Sequence, residues 1–125
     1  MKSRILIMII LVMIILITGC ISQVYTAEEA EETAVEYIRN APTFHFDGIE
    51  KSLEATNVES LDCTGCFEVT VEFDCRNEGF GDRSGLFLKS RFVHHTAKVR
   101  VEKGEVTQAI IDEIWDEMAQ EGILE

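Results

Sequence analysis

Residues 67–75 alternate without exception. Phe67, Val69, Val71, Phe73 and Cys75 are apolar, and Glu68, Thr70, Glu72 and Asp74 between them are polar. A period of two predicts a half-buried strand, and a solvated second face points to an antiparallel sheet. His95, Ala97, Val99 and Val101 repeat the alternation against Thr96, Lys98 and Arg100. Lys103-Gly104 then reads as a turn, and the residues from Val106 pair back as a hairpin strand. Leu86 to Val93 is mostly apolar and reads as a further strand. Leu53 to Leu61 fits either a strand or a short helical turn followed by one.

A different period governs residues 27–41. Ala27, Ala30, Ala34, Tyr37, Ile38 and Ala41 recur at three- and four-residue spacing, one stripe of an amphipathic helix. Thr26 and Glu29 have the spacing of a capping box. Pro42 ends the helix, because the residue before proline avoids helical geometry. Glu28, Glu29, Glu31 and Glu32 read as a solvated face near the favourable end of the helix dipole. Residues 43–49 form an aromatic connection with a turn at Asp47-Gly48. Near the C-terminus Ile111, Ile114, Trp115 and Met118 share one helical face, with Gly122 as a stop. The expected fold is α+β: an N-terminal helix packed on a three- to four-stranded antiparallel sheet, with a short C-terminal helix.

The leader changes where this domain is expected to work. Lys2 and Arg4 precede residues 5–17, all Ile, Leu, Met or Val, and Ile17-Thr18-Gly19-Cys20 follows. A basic start, an apolar run and small residues before a cut describe a secretory signal. The last four residues resemble the lipobox of lipoprotein signal peptides, which implies cleavage after Gly19 and lipidation of Cys20. The rival reading retains residues 5–25 as a single membrane span. Both place the remainder outside the cytoplasm, anchored to a membrane by lipid or helix. The resulting division is a leader over residues 1–19, a tether over 20–26 and one domain over 27–125.

Charge narrows the partners. The 125-residue chain carries a net −12; without residues 1–19 it has 106 residues, with 9 Lys+Arg against 23 Asp+Glu, a net −14. That excess excludes nucleic acid, whose phosphates require cationic side chains. It also disfavours lying flat on anionic lipid. A protein or small-molecule ligand remains open, and no motif requires a cofactor.

Three groups of residues are candidates for chemistry. Cys63-Thr64-Gly65-Cys66 is a tight turn in an oxidising setting, which favours a structural disulfide between Cys63 and Cys66. A thiol–disulfide redox pair and a metal site, completed by Cys75, His94 or His95, are the alternatives. The second group is Gly79, Phe80, Gly81, Asp82, Arg83, Ser84 and Gly85. Glycines let backbone amides approach a ligand, with Asp82 and Arg83 as the polar contacts; alternatively, those two side chains tie the loop internally. The Cys63–Cys66 turn would brace this loop if both lie at one end of the sheet. Third, His94 and His95 are neighbours on a strand and face opposite ways, so they do not share a site; His95 has core parity. Trp115 reads as core. No Walker motif or catalytic Ser/His/Asp or Cys/His set is present, so the expectation is binding rather than catalysis.

The order Ala41-Pro42-Thr43-Phe44-x-Phe46-Asp47-Gly48-Ile49, Cys63-x-x-Cys66, residues 79–85, His95-x-Ala97 and Trp115-Asp116-Glu117 resembles an uncharacterised family of archaeal exported or membrane-anchored domains. The resemblance covers roughly residues 30–120 and implies an extracytoplasmic location. This chain has Phe80 where the family pattern has Tyr, and Cys75 where it has a small polar residue. The helix-and-meander outline is also similar to cystatin-like and PepSY-like domains.

Overall fold

The computed structural model describes residue 4 and residues 24–124. The leader, the lipobox and Cys20 lie outside the described residues, apart from Arg4. Among the described residues no helix is long and apolar enough to cross a membrane.

Helix α1 (Ala27–Asn40) starts where the Glu29 amide donates to Thr26 Oγ1 at 3.2 Å. Ala30, Ala34 and Ile38, at four-residue steps, are its buried stripe. Ala41 is extended ahead of Pro42, which opens a second, one-and-a-half-turn helix, α2 (Pro42–Asp47). Proline is favourable there because its missing N–H is one the first turn leaves unpaired anyway. Gly48 ends α2, and a Cβ on Gly48 would run into the Phe44 ring.

The expected fold outline is corrected by the sheet. It has six antiparallel strands in sequential order: β1 (Glu54–Ser60), β2 (Cys66–Asn77), β3 (Ser90–Glu102), β4 (Glu105–Ile111), β5 (Trp115–Asp116) and β6 (Glu121–Gly122). Within residues 24–124 the two α-helices both precede it, and residues 111–122 form no helix. Cystatin-like and PepSY-like outlines with three or four strands therefore do not describe it.

The reason lies in local polar chemistry that competes with the helical period. Asp112 and Glu113 take left-handed φ values of 52° and 64°, which turn the chain instead of continuing it. The Asp112 carboxylate is committed to Thr96 N and His95 on β3, at 2.9 and 2.6 Å. Asp116 Oδ1 accepts the Met118 and Ala119 amides, each at 3.0 Å, an Asx-type turn that replaces helical bonding. Trp115 instead pairs with Ile111 across β4–β5. Ile114 and Met118, half of the expected apolar face, are exposed.

β2 and β3 form the long central pair, in register from Cys66 opposite Glu102 to Asn77 opposite Ser90, with a bulge between Cys75 and Asn77. β3 starts at Ser90, four residues later than the apolar run from Leu86 suggests. The odd-numbered residues of β2 and β3 share one face. Val69, Val71, Phe73, Cys75, Ala97, Val99 and Val101 join Ala109 and Ile111 of β4, Phe44 of α2 and the α1 stripe in a single core. Each large apolar side chain buried there contributes roughly 1.5–3 kcal/mol. The even-numbered face carries Glu68, Thr70, Glu72, Asp74, His94, Lys98 and Arg100, and among the described residues both helices pack on the other face.

Candidate functional site

The loop between β2 and β3, residues 78–89, is the predicted binding segment, and its two polar residues have different fates. Arg83 is 2% exposed. Its guanidinium is ion-paired with Asp47 of α2, whose side chain is 8% exposed. It also donates to the carbonyls of Gly79 (3.1 Å), Gly81 (3.0 Å) and Thr43 (3.4 Å). The Phe46 ring lies 4.7 Å below it, a cation–π contact. Arg83 is therefore a buttress that pins the loop to α2, with its donors turned inward. Asp47 holds the partner strand as well, accepting from the Asn77 amide at 2.8 Å and its side chain at 3.0 Å.

A second buried carboxylate completes the anchor. Glu117, 2% exposed, accepts from Thr43 N (2.7 Å), Thr43 Oγ1 (2.6 Å) and Trp115 Nε1 (2.8 Å). The Thr43 hydroxyl in turn accepts the Gly81 amide at 2.7 Å. Gly81 sits at φ +68°, and a Cβ there would approach Trp115 to 3.3 Å; only glycine fits without strain. Phe80 stacks on Trp115 at 5.4 Å and tilts over His95 at 5.2 Å. The Pro42–Asp47 segment, the glycine loop and Trp115–Glu117 thus meet in one polar network. Burying these charges is tolerable only because nearly every oxygen has a donor.

Asp82 and Ser84 stay on the surface. The Ser84 amide donates to Asp82 Oδ1 at 2.9 Å and holds that carboxyl below its ordinary range. Beyond them Leu86 and Phe87 are 64% and 109% exposed, and Phe92 at the start of β3 is 75% exposed. Lys89 and Arg91 flank them. Arg91 reaches Glu78 at 3.0 Å across exposed surface, and Lys89 is also exposed. The tip therefore displays apolar side chains, with the exposed Lys89 and Arg91 balanced by the exposed Glu78 and Asp82. Nothing in the sequence separated Thr43, Asp47 and Glu117 from the other hydroxyls and carboxylates. Their one signal was membership of the motifs that carry the family resemblance.

Cys63 and Cys66 form a disulfide, with Cα atoms 5.3 Å apart. The turn does not brace the loop. Cys66 begins β2 and Asn77 ends it, so the two features lie at opposite ends of a twelve-residue strand, about 36 Å apart. The N-terminal side of the domain sits at the disulfide end, where Tyr25 packs beside Gly65 and Gly104. Cys75 is an unbridged, buried thiol near the tip. Burial, and then the neighbouring Asp47 carboxylate, push it up to about 12. It is out of reach of the Cys63–Cys66 pair.

The histidines divide as expected from strand parity. His95 is buried, with Nδ1 2.6 Å from Asp112 Oδ2 and Nε2 without a partner. His94, on the even-numbered face, has Nδ1 2.6 Å from Asp74 and Nε2 3.0 Å from Glu72. Those two carboxylates, Asp74 first, raise its pKa. Asp112 is lowered: burial opposes its ionisation, but His95 and the Thr96 amide outweigh it. A groove of about 920 Å³ between α1 and β4 carries Glu32, Glu36 and Glu105 around Tyr37, Pro42 and Val106; none of the predicted site residues lines it. Compared with protein-family models, with curated proteins and with solved structures, the chain finds no match in any of the three.

Proposed function

We propose that this chain is an extracytoplasmic domain, moored to a membrane on its N-terminal side, that binds a protein partner through the far tip of the β2–β3 hairpin. The lipobox-type leader and the motif order support the location. The observation that carries the binding role is the contrast within one loop. Its base is locked by buried Arg83, Thr43 and Gly81, while Leu86 and Phe87 stand in solvent, as does Phe92 on the adjoining β3. A loop whose base is already fixed lowers the ordering cost of association, and exposed apolar side chains on one surface mark contact sites. Asp82 and Ser84 supply polar contacts at the rim. Arg83, expected to touch the ligand, acts in this reading by positioning the loop.

The test places a photo-crosslinking residue at position 87 in the full chain in its native cells. A second chain carries it at Glu59, exposed on β1. A discrete adduct from position 87 alone is expected, together with its loss in Leu86→Asp at unchanged folding. No adduct, or equal adducts from both positions, overturns the reading. Mass spectrometry of the native N-terminus tests the mooring: a diacylglyceryl mass on Cys20 is expected.

A further inference from the structure

The opposite end of the hairpin holds a second constellation. One sulfur each from Cys63 and Cys66 and a carboxylate oxygen of Glu102 all lie within 4.8 Å of one another. Glu102 is there because β3 places it directly across from Cys66 in the register. The bridge is not what assembles this cluster. The turn is closed by backbone bonds, Cys66 N to Cys63 O at 3.2 Å and Leu61 N to Cys66 O at 2.8 Å. The Lys103 amide ties Gly65 O to the end of β3 at 2.8 Å, keeping Glu102 against the turn. Cys66 is buried and Cys63 exposed, so the site opens to solvent on one side.

We propose that reduction of the Cys63–Cys66 disulfide converts this turn into a binding site for a thiophilic divalent cation of the zinc class, with Cys63, Cys66 and Glu102 as ligands. In the first step a dithiol reductant delivers two electrons and two protons. The S–S bond breaks, two thiols form and the reductant closes to its own disulfide. In the second step the cation forms two metal–sulfur bonds and releases the two thiol protons, and the Glu102 carboxylate adds the third bond. Zinc takes sulfur at about 2.3 Å and carboxylate oxygen at about 2.0–2.2 Å, so once the S–S bond is broken the two sulfurs must move apart to bracket the ion, a change that side-chain rotation supplies while the backbone bonds hold the turn and Glu102 together. Two thiolates select zinc-class ions over magnesium or calcium. Three protein ligands leave a fourth position for water or a partner's side chain. The bridged state offers no thiolate, so oxidation closes the site.

The experiment uses the full chain in detergent micelles, stripped of metal, either bridged or reduced with a non-ligating phosphine. Cobalt(II) binding is read by its thiolate charge-transfer absorption, and zinc by competition with a chromophoric chelator. One ion per reduced chain and none per bridged chain is expected. Glu102→Gln weakens zinc binding at least about tenfold, by analogy with the loss of a supporting ligand group. Cys63→Ser, at an exposed position that does not test folding, abolishes the charge-transfer band, and Cys75→Ala leaves it unchanged. Equal zinc affinity in the bridged and reduced chains overturns the proposal, as does Glu102→Gln binding as tightly as the parent.

Discussion

Arg83→Met removes the guanidinium while keeping an unbranched side chain of similar reach. The structure sets the cost. Asp47 keeps its two bonds from Asn77 but loses the Arg83 cation paired with it, with 8% of its side chain exposed. The carbonyls of Gly79, Gly81 and Thr43 lose a donor at the same time. Leaving one member of a buried pair uncompensated costs about 3–5 kcal/mol. Against a total stability of about 5–15 kcal/mol for a domain this size, that is a large fraction. It corresponds to a Tm lower by at least about 12 °C, at roughly 4 °C or more per kcal/mol. Urea unfolding of the full chain in micelles reads it through Trp115, the only tryptophan, which stacks on Phe80 within the loop. Asp47→Asn alone leaves Arg83 buried without a counter-charge and loses a similar amount. In the double variant each change costs less in the presence of the other, by about 0.5–3 kcal/mol. A loss below 1 kcal/mol for Arg83→Met, or strictly additive losses, refutes the assignment of Arg83 as the loop's buttress.

Thr43→Val deletes the hydroxyl that joins Gly81 N to Glu117. It should cost about 1–3 kcal/mol in the same unfolding assay, and Thr43→Ser should restore most of it. The pKa of His94 is raised by Asp74 and Glu72, so its ion-pair contribution is complete below the unfolded value near 6.5. That contribution is lost as pH rises through the folded value. The urea midpoint should fall across that window in the parent, and this part of the fall should vanish in His94→Gln. Reducing the Cys63–Cys66 bridge, a separation of three residues, should lower stability by only about 2 kcal/mol because the closed loop is so short; unfolding of the chain by phosphine alone would contradict this.

The sequence pattern was most informative where one rule acted alone. The alternation of residues 67–75 and 95–101 gave β2 and β3, because a half-buried strand leaves nothing to compete with the period of two. Thr26, Pro42 and the alanine stripe gave both ends and the buried face of α1. Legibility failed where side chains act at a distance. The spacing of Ile111, Ile114, Trp115 and Met118 is helical, but Asp112 is claimed by His95 and Thr96 from another strand, and no local pattern records that. Arg83 was legible only in part. The alternative that it ties its own loop holds, through the Gly79 and Gly81 carbonyls, but its partner Asp47 lies 36 residues earlier. The location of the disulfide relative to the glycine loop was equally hidden, since one strand length separates two motifs that stand close in sequence.

That separation constrains the partner. Of the nine Lys and Arg residues after residue 19, Arg76, Arg83, Lys89 and Arg91 sit at or beside the tip together with the exposed acids Glu78 and Asp82, and of those four cations only Arg83 is buried. The chain enters the domain at the other end, beside Tyr25 and the disulfide turn. A chain held by Cys20 or by a retained leader would present the turn toward the lipid and the tip about 36 Å further out. The negative potential of a leaflet fades within a Debye length of about 8 Å at physiological salt. The tip cations would then lie beyond its field, while the carboxylates of α1 would be repelled by it. In that arrangement Phe87 would be better placed to meet an apolar surface on another protein than a membrane at the opposite end. A thiol site at the disulfide end lies one strand length from the tip, so redox or metal events there would reach the tip only through the β2–β3 pair itself.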